Sequence, residues 1–480
     1  VKMHHLISGL LLAGLSGAVL AAPGGPEAAG IIVKYKQNSQ ALLARQAASL
    51  PRGQALPTHP GDYAARTRQV QSITGQPLRF DHQMGTGAYV FNSGKPMTAA
   101  QAHALAQRIK QQDASVEYAE PNFIKHANLV PASPMYASAQ WDMQDSASQP
   151  GALNLPAAWD ITQGQGVTVA VLDTGYRPHK DLVPNLLQPG YNFVSDPAAA
   201  RLAVGPDKTT ARQANAQDQG DWAAAGDCGA GTPASDSSWH GTHVAGTIAA
   251  AAGNGNGLTG VAPKAKLLPL RVLGRCGGTD ADIADAMLWA VGGTVTGMPA
   301  NTNPARIISM SLGGGQPCTQ SYRDVLKTIA AKKGIVVVAA GNATRNTRDF
   351  APASCPGVIT VAANGMNGGI ASYSNYGAMV AVTAPGGDFI GKDPGIISTL
   401  NDGKTSPGND IYGADRGTSM ATPHVAGLVA LMLSVNPNLD WRATRKLLID
   451  TARAPATDCE GCSAGLVDAA AAVKAAQSYH

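Results

Sequence analysis

Gly166-Val167-Thr168-Val169-Ala170-Val171-Leu172-Asp173-Thr174-Gly175 is the stretch on which the fold turns. A continuous run of apolar and β-branched residues fits a strand covered on both faces, and the glycine turn behind Asp173 ends it. Downstream the pattern alternates. Residues 240–252 read as a helix, 265–273 as a strand, 280–291 as a helix, 306–311 as a strand and 322–333 as a helix. Residues 335–340 and 358–362 are further Val/Ile-rich strands, and 418–434 is a long helix. Strands of this type alternating with helices predict an α/β fold, a parallel sheet with helices on both faces. Functional groups of such sheets gather at the carboxyl ends of the strands, where Asp173 stands.

Upstream the pattern changes. Residues 31–35 read as a strand, 63–73 as a helix, 87–91 as a strand, 98–111 as a helix with Thr98 as its N-cap, and 115–119 as a last strand. That is a small α+β unit in two layers. The chain begins with Lys2, an apolar run from Leu6 to Leu20 and the small residues Ala21-Ala22, the three parts of a secretory signal peptide over 1–22. The expected division is therefore a leader at 1–22, a small domain at 23–126, a linker at 127–153 and a main domain at 154–480.

Composition narrows the function. The 480 residues carry 36 Lys plus Arg and 32 Asp plus Glu, a formal charge of +4. No run of basic residues accompanies it, so a nucleic-acid partner is not expected. Apolar runs after the leader are interrupted by Gly, Pro, Asn or charge, so a membrane anchor is not expected either. The charge is also unevenly placed. Residues 23–126 are net +5 and residues 127–480 net −2, the latter with 25 Asp and one Glu. An Asp-heavy surface suits a divalent cation better than a polyanion.

Three strings carry candidate chemistry. Asp173-Thr174-Gly175 alone could mark an aspartic protease, but that chemistry needs two carboxylates and no second copy of the string exists. Ser238-Trp239-His240-Gly241-Thr242-His243 puts His240 in the first turn of a helix, without the third ligand a metal site would need. Gly417-Thr418-Ser419-Met420-Ala421-Thr422-Pro423-His424 puts Ser419 at the start of another helix, where N–H groups favour developing negative charge. Read separately, these are a turn Asp, a structural His and a helix-capping Ser. Read together, their order Asp, His, Ser is one in which a serine hydroxyl can be activated by a base that a carboxylate orients.

In that order and spacing the strings resemble those of the subtilisin-like serine proteases, over roughly residues 155–473. The resemblance implies a secreted serine endopeptidase acting on proteins and peptides, with Ser419 as nucleophile, His240 as base and then acid, and Asp173 orienting the imidazole. It also implies that Asn342, after Val338-Ala339-Ala340-Gly341, donates to the oxyanion together with the backbone N–H of Ser419. Ser311, Leu312, Gly313, Ala339, Ala340 and Gly341 would line the substrate cleft. Thr279, Asp280 and Asp282 would stand near an outer subsite as an acidic rim favouring basic residues. Residues 30–126 resemble the family's ferredoxin-like, inhibitor-like prodomain, so an intramolecular inhibitor and self-cleavage between about Phe123 and Pro134 are expected of a monomeric zymogen.

Structural calcium is the implied ion, with Asp181 and Asn254 as ligands and a second site formed by Asp218, Asp221 and Asp227. Six cysteines in an exported chain read as disulfides, with 15 pairings open to the sequence itself. The resemblance suggests Cys228 with Cys276, Cys318 with Cys355, and Cys459 with Cys462. Two other readings stand beside this one: a cell-surface binding protein on a dead protease scaffold, and an intracellular processing peptidase, which the leader and cysteines disfavour.

Overall fold

The computed structural model describes residues 27–36, 60–84, 88–123, 133–205, 210–253, 257–455 and 464–480. The expected leader, most of the expected cleavage region, Asn254, Cys459 and Cys462 lie outside the described residues. The chain divides into two compact units, 1–127 and 128–480.

The first unit runs β1 (Glu27–Tyr35), α1 (Pro60–Thr74), β2 (Arg79–Gln83), β3 (Tyr89–Thr98), α2 (Ala99–Gln112) and β4 (Val116–Phe123). Its four strands form an antiparallel sheet in the order β2-β3-β1-β4. This is the split βαβ arrangement of ferredoxin-like folds. Ile31, Val33, Phe91, Ala102 and Ile109 are among the buried side chains between sheet and helices. Thr98 caps α2 as expected, in a reciprocal capping box with Gln101. The strand β2 was not foreseen, because Arg79-Phe80-Asp81-His82-Gln83 is almost wholly exposed and shows no apolar alternation.

The second unit holds a seven-stranded sheet in the order β11-β10-β9-β8-β5-β7-β6, parallel throughout. Its strands are β5 (Thr168–Asp173), β6 (Tyr191–Asn192), β7 (Lys266–Arg271), β8 (Ile307–Met310), β9 (Ile335–Ala339), β10 (Val358–Asn364) and β11 (Val380–Pro385). Helices α3 (His240–Ala249), α4 (Asp280–Ala290), α5 (Gln320–Ala331), α6 (Thr418–Val435), α7 (Trp441–Asp450) and α8 (Ala469–Ser478) cover both faces. The alternation is visible within single strands. Val169 and Val171 pack with α3 and α6, whereas Ala170 and Leu172 pack with α4 and α5. A separate antiparallel ribbon pairs β12 (Ile396–Asn401) with β13 (Asp410–Asp415).

Connectivity positions the site. From β5 the chain proceeds to β6 and β7 on one side and then to β8 through β11 on the other, so the order reverses at β5. A crevice opens at such a reversal, at the carboxyl end of the strand, and Asp173 closes β5 there. The helix α6 is long and apolar enough to span a bilayer by composition, but 83% of it is buried inside the fold. It is the central core helix.

The expected linker needs correction at its C-terminal part. Residues 133–153 belong to the core of the second unit: Tyr136, Trp141, Met143 and Leu153 are buried, and Trp141 Nε1 donates to the carbonyl of Gly395 at 2.8 Å. Their Pro, Ser and Gln content hid single anchoring side chains that follow no period.

Candidate active site

Helix termini separate structural helices from those that carry chemistry. Helices α2, α4, α5, α7 and α8 begin on Thr98, Thr279, Thr319, Asp440 and Asp468, each accepting a backbone N–H. Helices α3 and α6 begin on Trp239 and Gly417 with no side-chain cap. Their first N–H groups remain for other work, and Ser419, in the first turn, is not the cap.

His240 opens α3 against the end of β5. Its Nδ1–H donates to Asp173 Oδ1 at 2.8 Å, and the same oxygen accepts the N–H of Thr174 at 2.7 Å. Asp173 is buried and its Oδ2 has no hydrogen-bond partner among the described residues. The close approach requires glycine at 241: a Cβ there would stand 2.1 Å from the carbonyl oxygen of Gly175. Gly241 N–H also donates to Thr174 Oγ1 at 3.0 Å, fixing the helix start to the strand end. Burial pushes the His240 imidazole toward the neutral form, but the charge and hydrogen bond of Asp173, followed by the charges of Asp415 and Asp221, outweigh it and raise the pKa to about 9.

Ser419 and Ser311 are bonded reciprocally. Ser311 Oγ donates to the carbonyl of Ser419 at 2.7 Å, and Ser419 Oγ donates to the carbonyl of Ser311 at 3.2 Å. Among the described hydrogen bonds none joins Ser419 to His240; such bonds often tighten only with substrate present.

Asn342 is oriented by Thr418, whose N–H and Oγ1–H both donate to Asn342 Oδ1, at 2.9 and 2.8 Å. Thr418 Oγ1 in turn accepts the N–H of Gly341 at 3.0 Å. With Oδ1 occupied, Nδ2 is the end left to donate. A Cβ built on Gly417 would be 3.3 Å from Asn342 Nδ2 and 3.5 Å from the Ser419 nitrogen, so both nitrogens lie beside Gly417. The role of Thr418 was not read from the sequence, although it lies inside the quoted string.

All six residues expected to line the cleft border one recess of about 290 Å³ together with Asn342, Thr418 and Ser419. It adjoins a cleft of about 700 Å³ that includes His240, Gly277, Gly278 and Asp280, and the two share residues 311–314 and Ala351. Disulfides join Cys228 to Cys276 and Cys318 to Cys355. The first borders the larger cleft through both its cysteines. The second ties the segment after 311–315 to the segment after 350–353, both of which wall the smaller recess.

The acidic rim is smaller than expected. Thr279 is spent capping α4, and Asp282 is buried, paired with Arg212 at 2.6 Å and accepting from Ser195. Of these three only Asp280 borders the cleft, with its carboxylate held by Tyr322 and Gln316. The expected second calcium site does not form either. Asp221 accepts the N–H and Oγ–H of Ser238, Asp227 pairs with Arg275 at 3.2 Å, and buried Asp218 has its pKa raised to about 6 by desolvation. Among the described residues no three or more His, Cys, Asp or Glu side chains converge as a metal site.

Asp181 is fully buried, its Oδ2 accepts from Leu258 N–H at 3.1 Å and Tyr412 O–H at 2.9 Å, and its Oδ1, like Oδ2 of Asp218, has no hydrogen-bond partner among the described residues. A second pair went unforeseen: His424 Nε2 lies 2.8 Å from Asp142 Oδ2, and its Nδ1 lies 2.7 Å from the carbonyl of Met420. Both side chains are fully buried, and the pair ties the segment before β5 to the helix of Ser419.

A family model, Peptidase_S8, the subtilase family, matches residues 164–473. The chain belongs to the subtilase family. It is a subtilisin-like serine endopeptidase. An extracellular protease of Xanthomonas campestris pv. campestris is 44% identical over 447 residues, 93% of this chain and 72% of that one. An extracellular basic protease of Dichelobacter nodosus is 36% identical over 463 residues, 94% of this chain and 72% of that one. A solved protease of Pseudoalteromonas arctica PAMC 21717 is 46% identical with a TM-score of 0.68, over 72% of this chain and all of that one.

Proposed function

We propose that this subtilase hydrolyses peptide bonds by acyl transfer to Ser419, and that it is made as a secreted, self-processed zymogen. The observation that carries the reading is the 2.8 Å Asp173–His240 bond at the end of β5, beside a recess bordered by Ser419 and Asn342. Ser419 Oγ attacks the scissile carbonyl carbon while His240 Nε2 takes its proton. Asp173 keeps Nδ1 protonated and stabilises the imidazolium. The carbonyl oxygen, now negative, receives N–H groups from Asn342 Nδ2 and Ser419. When the C–N bond breaks, His240 returns the proton to the leaving nitrogen; water then cleaves the acyl ester by the same exchange in reverse. Glycines 313 and 341 let an extended peptide approach the main chain of the cleft, which suits broad specificity.

A serine-directed fluorophosphonate tests this reading. Mass mapping of the labelled protein is expected to find one adduct, on the peptide containing Ser419. An unlabelled Ser419 under conditions that label subtilisin would favour the binding protein on a dead scaffold.

Export is supported by the two disulfides, which persist in oxidising compartments, and by the extracellular relatives. The βαββαβ unit is assigned as the prodomain that assists folding and blocks the cleft before self-cleavage. The mature endopeptidase is taken to act as a monomer.

Calcium is assigned to Asp181, because a buried carboxylate oxygen without a protein partner is the donor type that a hard cation takes; Asn254 is the second expected ligand. The ion would brace the loop that leads from α3 to Leu258. A site filled at a hundredfold excess over its Kd adds about 2.7 kcal/mol. Chelation is therefore expected to lower Tm by several degrees, with Asp181→Asn reproducing the drop and removing the chelator's effect. An unchanged Tm in excess chelator would remove calcium from the account.

A further inference from the structure

The large apolar side chains of the second unit are mostly inside it, with one concentrated exception. Phe389 and Ile390 are 70% and 68% exposed. They are consecutive, and they stand on the loop between β11 and β12. An exposed apolar pair is uninformative on a loose loop, but this loop is held. Arg416 Nε donates to the carbonyl of Asp388 and Nη2 to the carbonyl of Asp393, both at 2.8 Å, stapling its two arms together. Tyr373 Oη lies 3.0 and 2.7 Å from the carbonyls of Gly386 and Gly387. Asp388 Oδ1 accepts from Ser372 Oγ at 2.7 Å and from Phe389 N–H at 2.8 Å. The Phe389 ring stands edge-on to Tyr373 at 5.5 Å, with the Arg416 guanidinium 5.6 Å from its centroid.

The position of the loop gives the pair a use. Gly417 N–H donates to the carbonyl of Gly386 at 3.0 Å, so the loop starts against the residue two places before Ser419. Arg416, its staple, follows directly on β13, and the β12–β13 ribbon packs on the helix of His240: His243 Nε2 is 3.0 Å from the carbonyl of Ile396 and 3.2 Å from that of Gly413. Residues 387–394 border neither the recess formed by 311–315 and 339–341 nor the larger cleft that continues it. They are tied to Arg416, three residues before Ser419 and at the end of the ribbon. In acyl transfer the acyl half of a peptide stays on the serine and the leaving half departs past the histidine that protonates it. With the acyl half along the glycine-lined recess, the leaving half runs out beside α3 and the ribbon, toward Phe389.

We propose that Phe389 and Ile390 form an apolar subsite for the leaving half of the peptide substrate, so that cleavage favours a large apolar residue just after the scissile bond. The proposal rests on the proteolytic reading of Ser419. Because Arg416 and Tyr373 hold the loop's backbone before substrate arrives, the backbone under the pair needs no ordering on binding. One apolar contact of this kind discriminates by roughly tenfold.

The test compares the wild type with the double variant Phe389→Ala/Ile390→Ala on peptides that differ only in bearing Leu or Ser after the cut. A peptide p-nitroanilide, whose leaving group carries no amino acid, is the control. The wild type is expected to prefer the Leu peptide by roughly tenfold in kcat/KM and the double variant to show no preference, with both hydrolysing the p-nitroanilide equally. A preference that survives in the double variant overturns the subsite, as does a parallel loss on the p-nitroanilide, which would make the pair structural. Loss of self-association in the double variant with peptide preference intact would assign the patch to a second copy of the chain and also overturn it. Failure of the wild type to hydrolyse the p-nitroanilide would instead defeat the proteolytic reading, and the subsite with it.

Discussion

Ser419→Ala is expected to lower kcat by about 10⁶-fold and Asp173→Asn by about 10⁴-fold, the sizes established for the corresponding exchanges in subtilisin and trypsin-like triads. The two losses differ because the groups differ in what they touch. On the proposed reading Ser419 Oγ is the atom that forms the new bond, so nothing replaces it. Asp173 acts through the imidazole: its Oδ1 holds Nδ1–H at 2.8 Å and so leaves Nε2 free to accept a proton. Asn at 173 keeps the shape but can present its amide N–H to Nδ1, which favours the wrong tautomer.

The pH profile separates this role from a structural one. A base must be neutral to accept a proton, and Asp173, Asp415 and Asp221 together hold the His240 pKa at about 9 against the effect of burial. The acid limb of kcat/KM is therefore expected above the ordinary histidine range, with the rate climbing into the alkaline region. Removing the Asp173 charge favours the neutral imidazole, so in Asp173→Asn the acid limb moves to lower pH while the plateau falls. A plateau that falls with the limb unmoved would show that Asp173 only supports the fold. Asp221→Asn, which touches Ser238 and not the imidazole, should move the limb the same way with a far smaller loss of rate.

The parts of this site that could be read in advance are those where one local string holds both the reactive group and the reason for its placement. Asp173 ends an unbroken apolar strand, and Gly241 stands beside His240 because a side chain there would strike Gly175. Ser419 follows Gly417 at an uncapped helix start. What could not be read depends on partners far away in the chain. Asp142 meets His424 across 282 residues inside a segment whose composition resembles a linker. Asp282 looked like part of a rim because Asp280 borders the cleft, yet two residues along the helix it is turned inward to Arg212. The ribbon strand β13 has no apolar alternation, since neither of its faces is fully buried. Phe389 and Ile390 would have been assigned to the core by hydropathy alone, and the bonds from Arg416 and Tyr373 that hold their loop come from elsewhere in the chain.

Replacing Asn342 with Ala is expected to lower kcat by about 10²–10³-fold with KM little changed, the loss established for the matching donor of subtilisin. Among the described hydrogen bonds Asn342 Nδ2 makes none; on the proposed reading it gains a strong partner only when the carbonyl oxygen becomes negative, so its removal is felt in the transition state and not in binding. Thr418 makes the argument specific to this chain. Because its N–H and Oγ1–H both fill Asn342 Oδ1, the amide is held with Nδ2 as its free end before substrate arrives, and no reorganisation is needed during reaction. Thr418→Val removes one of those two bonds while leaving the backbone one, so its loss should be smaller than that of Asn342→Ala and likewise confined to kcat. In the double variant the Thr418 change should add almost nothing, since a positioning residue has no effect once the group it positions is gone. Full additivity of the two losses would show that Thr418 acts on the fold of α6 instead of on the amide.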